Sequence, residues 1–171
     1  MKLFKTLNPS SLDRAAFVAA FADIYEHSPW VAEQAYQRGP LADFDRIEAL
    51  HACMSQVLLG ADPAAQLALI NAHPDLAGKA AIQGQLTKAS NSEQAGAGIQ
   101  HCTAEEFQRF NELNAAYKTR FGFPFIKAVK GSNRQQILAA FETRIHHSAA
   151  SEFSCALAEI NQIALFRLEQ L

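Results

Sequence analysis

Four places in this sequence carry residue types that could do chemistry. They are His73 in His73-Pro74-Asp75-Leu76-Ala77-Gly78-Lys79, Glu93 in Ser90-Asn91-Ser92-Glu93-Gln94, Arg167 near the end, and the turn Phe121-Gly122-Phe123-Pro124-Phe125. Pro74 disfavours helical geometry in the residue before it, so the spacing predicts an extended His73 where a helix stops, its imidazole facing whatever lies beyond. A histidine so placed can exchange a proton near neutral pH, or can simply cap the helix by reaching its last carbonyls. Glu93 has two explanations as well: an acid/base partner, or the N3 residue of a capping box opened by Ser90. In the last helical run Leu157, Ile160, Ala164, Leu168 and Leu171 form one stripe, and Arg167 lies about 20° from Ile160 at its edge. Such an arginine either rests its stem on apolar surface with its head in water, or needs a carboxylate, a carbonyl cluster or an anionic ligand to offset its desolvation. The aromatic turn can plug a core or wall a planar ligand, and its proline and glycine keep backbone N–H groups out of regular helix.

Other chemistries lack their residues. His146-His147 are adjacent and point to different sides of a helix, and no HxxxH, HExxH or CxxC pair occurs, so no metal site is expected. GxSxG, GxxxxGK[ST] and GxGxxG are missing, which removes a hydrolase elbow, a P-loop and a dinucleotide fingerprint. Cys102 follows His101, but sequence neighbours on a loop seldom present both groups to one point. Cys53, Cys102 and Cys155 are widely spaced and odd in number, which suits reduced thiols in a core.

The elements that must position these groups read as helices almost throughout, so the fold class is all-α: a single-domain compact bundle of about eight helices over residues 1–171. The spacing predicts a first helix from Ser10, with Phe17, Phe21 and Ile24 on one face, ending near His27-Ser28. A second begins at Pro29 and stops at Gly39-Pro40. A third starts around Asp43 to Asp45, turns Ile47, Leu50, Met54, Val57 and Leu58 inward, and closes at Gly60. The fourth opens at Asp62-Pro63 and, with Leu67, Leu69 and Ile70, runs directly into His73. From Asp75 to Gln100 periodicity weakens among Gly78, Gly84, Gly96 and Gly98, and so long a semi-irregular segment in a compact domain is often functional. Thr103 with Glu106 opens a long helix through Phe107, Phe110, Leu113 and Tyr117 to Gly122. Ser132 or Asn133 caps the next, with Ile137, Leu138, Phe141 and Ile145, and Ser151 caps the last.

The balance of the 171 residues, 49% of them hydrophobic, supports a substantial core. Fifteen Lys plus Arg against seventeen Asp plus Glu leave a formal net charge of -2 and no basic stripe, so nucleic acid is not an expected partner. The apolar run before Asn8-Pro9 is too short for a signal peptide, and no stretch reaches the length of a membrane span. Glu169-Gln170-Leu171 is not a Ser-Lys-Leu type address, and the expected location is the cytoplasm.

These motifs together resemble the 2-oxo-4-hydroxy-4-carboxy-5-ureidoimidazoline (OHCU) decarboxylases of uric acid degradation. The resemblance runs through His73 to Lys79, Leu86-Thr87, Ser90 with Glu93-Gln94, Phe121 to Phe125, and Lys130-Gly131. Ser28-Pro29-Trp30-Val31-Ala32-Glu33 and Ala156-Leu157, Glu159-Ile160 and Ile163-Ala164 extend it over nearly the whole chain. Arg38-Gly39-Pro40-Leu41 departs from the family's usual Arg-Pro-Phe, in a surface loop. The resemblance implies an all-helical, cofactor-free enzyme, commonly a homodimer, that makes S-allantoin and carbon dioxide from the ureidoimidazoline. It implies His73 as catalytic acid/base, with Glu93 hydrogen-bonded near it. It also implies a substrate pocket lined by Pro74, by Ser90, Asn91, Ser92, Glu93 and Gln94, and by the backbone of Phe125, Ile126, Lys127, Ala128 and Val129. Arg167 would then meet the anionic or ureido end.

The chemistry suits those residue types. Loss of carbon dioxide from the hydroxyl-bearing carbon leaves an electron pair that the neighbouring C=N accepts, so the substrate is its own electron sink. The protein must orient the carboxylate, support the developing charge with N–H donors, and deliver a proton to one face. The rivals are a helical binding module, which predicts an exposed apolar patch, and a ureide-binding or hydrolytic enzyme on the same scaffold.

Overall fold

The computed structural model describes residues 2–78 and 85–171; Met1, and Lys79 and Gly84 of the stretches quoted above, lie outside the described residues. The architecture is all-α. The described residues form α1 (Arg14–Phe21), α2 (Trp30–Arg38), α3 (Ile47–Leu59), α4 (Pro63–Ala72), α5 (Lys88–Gly96), α6 (Ala104–Phe121), α7 (Arg134–Arg144) and α8 (Ala149–Leu168), with short 3-10 turns between some of them. Two compact units result, one of Met1–Ala72 with Ile160–Leu171 and the other of His73–Glu159.

In the first unit, Asp13 rather than Ser10 starts α1, its carboxylate accepting from the Ala16 N–H at 2.8 Å. Ser10 is drawn away by Asp45, which accepts from its N–H at 2.9 Å and from its hydroxyl at 2.7 Å. The helix also stops at Phe21, short of His27-Ser28, because the chain must turn there; His27 sits in the left-handed region at φ 46°. The apolar face is as the spacing predicts. Phe17 and Phe21 are buried and contact each other, Phe17 also meets Tyr36 and Phe44, and each such side chain contributes roughly 1.5–3 kcal/mol by leaving water. α3 begins at Ile47, slightly later than Asp43 to Asp45: a 3-10 turn over Leu41–Asp43 takes up Asp43, and the extended Arg46 is the N-cap. Ile47, Leu50, Met54, Val57 and Leu58 are all buried, and Pro63 opens α4 as expected, although Leu67 on α4 is exposed. The tail of α8 joins this unit where the Tyr25 hydroxyl donates to Asn161 Oδ1 at 2.7 Å.

In the second unit, Thr103 and Glu106 make the expected capping box, and Gly122 ends α6 in the left-handed conformation that a Cβ disfavours. Asn133, not Ser132, caps α7 and pairs with Gln136. Ser148 rather than Ser151 caps α8: its hydroxyl accepts from the Ser151 N–H at 3.2 Å, placing Ser151 inside the first turn. Among the described residues no single helix is long and apolar enough to cross a membrane.

Candidate functional site

His73 immediately follows α4, where Pro74 ends the helix, and its side chain is buried, 8% exposed. The loop that follows is tied down residue by residue. The Asp75 carboxylate takes Lys118 of α6 at 2.7 Å, and the Leu76 carbonyl accepts from Asn114 Nδ2 at 2.9 Å. Ala77, in the left-handed region at φ 51°, donates its N–H to Gln94 Oε1 at 3.0 Å, and Gln94 Nε2 donates back to the Asp75 carbonyl at 3.3 Å. Gln94 follows Glu93 in α5, so both ends of its amide link the loop bearing His73 to the helix bearing Glu93.

The expected capping box at Ser90 does not form. Thr87 is the N-cap, its hydroxyl accepting from the Ser90 N–H at 3.3 Å, so α5 starts three residues earlier and Glu93 belongs to its second turn. The cap explanation of Glu93 therefore fails, and the stretch expected to be semi-irregular is helical over Lys88–Gly96. Ser90 and Gln94 are buried, Asn91 and Glu93 half-buried and Ser92 exposed; Asn91 Nδ2 also donates to the Leu86 carbonyl at 3.0 Å.

The aromatic turn resolves into side chains and backbone with different duties. The Phe125 ring is a core plug, stacked on Phe141 at 3.9 Å between centroids and edge-on to Tyr117 at 5.4 Å. The backbone of Phe125 to Val129 forms a strap, and it is less open than its proline and glycine suggest: Ala128 N–H donates to Glu159 Oε2 at 2.7 Å. The Ile126 carbonyl accepts from Arg144 Nη1 at 2.7 Å, and the Arg144 guanidinium lies 4.4 Å from the Phe125 ring centroid.

Arg144 belongs to a buried network that the sequence analysis missed. Its Nη2 and Nε meet Glu152 Oε2 at 2.8 and 3.1 Å, the Tyr117 hydroxyl donates to the same oxygen, and His147 Nδ1 lies 2.8 Å from Oε1. Burial alone would raise the Glu152 carboxyl, but Arg144 and the Tyr117 hydroxyl hold it below the ordinary carboxylate value. Burial and the Glu152 carboxylate push the Tyr117 hydroxyl well above its usual range. The only local signals were a basic residue in the last turn of α7 and an acidic one in the first turn of α8, each of which also suits the helix dipole. The thiol of Cys102 is pushed up by burial and by Glu106, which argues against a thiolate there.

Arg167 lies in the other unit and is 6% exposed. A carboxylate and a carbonyl cluster both offset its desolvation: Nη2 is 2.8 Å from Glu26 Oε2, and Nη1 donates to the Asp23 and Ile24 carbonyls at 3.3 and 3.4 Å.

Comparison with known proteins completes the description. The sequence model of the family described as OHCU decarboxylase matches residues 10–169. A 2-oxo-4-hydroxy-4-carboxy-5-ureidoimidazoline decarboxylase of Haloferax volcanii is 42% identical over 159 residues, 93% of this chain and 90% of that one. The protein of that name from Amia calva is 34% identical over 162 residues, 95% of this chain and 91% of that one. Among solved structures, an (S)-allantoin synthase superposes with a TM-score of 0.75 at 33% identity, covering 94% of this chain and 51% of that one. A second, an OHCU decarboxylase crystallised with (S)-allantoin, shares the fold at a TM-score of 0.70 and 23% identity.

Proposed function

This chain belongs to the OHCU decarboxylase family, and on that premise we propose that it converts 2-oxo-4-hydroxy-4-carboxy-5-ureidoimidazoline into S-allantoin and carbon dioxide in urate degradation. The observation that supports the reading most is the match of the family model over residues 10–169, with His73 buried beside a proline at a helix terminus.

In the proposed mechanism the bond between the carboxylate and the hydroxyl-bearing ring carbon breaks. Carbon dioxide leaves, and the electron pair moves into the adjacent C=N to give an enol. His73 delivers a proton to one face of the ureido-bearing carbon, while the enol hydroxyl passes its proton to the ring nitrogen that took up the electron pair and becomes the ring carbonyl. One proton thus replaces one carbon dioxide, and no oxidant, metal or organic cofactor enters the balance. Glu93 fixes the tautomer of His73 or raises its proton affinity. Pro74, Ser90 to Gln94 and the backbone of the 125–129 strap line the substrate, and Arg167 meets its anionic or ureido end. The same reading makes the active form a cytoplasmic homodimer, which sedimentation of the purified protein tests.

His73→Asn is the deciding experiment, because asparagine keeps a hydrogen-bonding group but exchanges no proton near neutral pH. The folded variant is expected to lose roughly a hundredfold or more in rate, with allantoin approaching the racemate formed without an enzyme. Near-normal turnover to one enantiomer refutes the mechanism. Chelation is expected to leave the parent's rate unchanged; a loss restored by one metal overturns the cofactor-free scheme.

A further inference from the structure

Resting on the reading of His73 as the acid/base, we propose that Asn114 is a positioning residue that holds the His73 loop in place. His73 is followed by a loop that turns at Leu76 and Ala77 and includes a non-glycine residue in the left-handed region, Ala77. Such a segment keeps one geometry only when its surroundings over-determine it. Here three consecutive residues are tied from two helices: Asp75 by Lys118 and Gln94, Leu76 by Asn114, and Ala77 by Gln94. Lys118 is half exposed, so solvent screens its pair; the buried amides of Asn114 and Gln94 are the stiff ties.

Asn114 is the more telling of the two. Its Nδ2 serves the Leu76 carbonyl, while its Oδ1 is buried with no hydrogen-bond partner among the described residues. The carbonyl at Leu76 fixes this amide orientation, since a flip would set oxygen against oxygen. A buried acceptor left unsatisfied is destabilising, so packing alone would favour leucine at this position. The tie to the His73 loop is what explains the residue type. Tyr117, on the next turn of α6, contacts Phe125, so the helix that restrains the loop also seats the strap.

The test is a double-mutant cycle with His73→Asn, reading kcat, KM and the handedness of the product. Asn114→Leu keeps the volume and removes both the tie and the orphaned oxygen; it is expected to unfold no more easily than the parent, yet to lose about tenfold in kcat with KM little changed. Asn114→Met, of similar volume and likewise without the donor, should act in the same direction, and it stands as the second variant if Asn114→Leu does not fold. In the His73→Asn background neither change should lower the residual rate further, because each acts through His73. Undiminished kcat in both folded variants overturns the proposal, as does a rise in KM at constant kcat, which would mean direct substrate contact. An equal loss in the His73→Asn background also overturns it. If His73→Asn is itself fully active, the acid/base reading fails and the positioning role falls with it. Failure of the ties alone instead leaves His73→Asn crippled and the other two variants intact.

Discussion

Each unit buries one arginine against one glutamate, and the two sites are built differently. Arg144 and Arg167 are 7% and 6% exposed, and Glu152 and Glu26 are 0% and 2% exposed, so the burial is matched. At Arg144 the contacts are short and numerous. Glu152 receives two guanidinium nitrogens, the Tyr117 hydroxyl and His147, while Nη1 reaches the Ile126 carbonyl at 2.7 Å and an aromatic face covers the cation. At Arg167 the carboxylate contact is equally short, but the two carbonyls lie at 3.3 and 3.4 Å, near the limit of useful hydrogen bonding. A closed network of this kind fits a scaffold. Through the Ile126 carbonyl and the Phe125 ring Arg144 seats the 125–129 strap, whereas Arg167 is tied to the backbone of Asp23 and Ile24.

The largest expected effect is on the scaffold. Arg144→Met leaves the Glu152 carboxylate buried without its main counter-charge and should cost about 3–5 kcal/mol in urea unfolding. A loss below about 1 kcal/mol would break the comparison by showing that the network is not structural. Next is Arg167→Lys, which keeps the charge but loses the fork. We expect about tenfold lower kcat/KM with a smaller stability loss than Arg144→Met, measured on the same preparation. Equal destabilisation by both variants, with no selective loss of activity, would make the two arginines equivalent. The smallest effect is on acid stability. Glu152 is held below its ordinary value of 4.5, so its charged form contributes stability above that pH, and the contribution fades as pH falls through the lower folded value. Glu152→Gln, though less stable near neutrality, should therefore show a flatter decline on acidification below about pH 4.5 than the parent, followed by circular dichroism. A parallel decline would mean that other carboxylates set the acid limit.

The helices and their inward faces were legible in the sequence because their signals are local. Thr103 with Glu106, Gly122, Pro63 and the apolar spacing of α3 each act over three or four residues, and the fold keeps them all. His73 beside its proline and Arg167 at the edge of an apolar stripe could be singled out for the same reason, whereas Glu93 fitted a local capping box and stood out only through the family resemblance. Where two local signals competed, only the tertiary structure decided. Thr87 won the N-cap over Ser90, Asp13 over Ser10 and Ser148 over Ser151. For Ser10 the reason is visible: Asp45, 35 residues away, takes both its N–H and its hydroxyl. The Tyr117–Glu152 and Asn114–Leu76 contacts span 35 and 38 residues, and no spacing rule reaches that far. A side chain's periodicity says which face of a helix it occupies, but the partner that satisfies its polar atoms is set by which distant segment is packed there, and burial makes that partner obligatory.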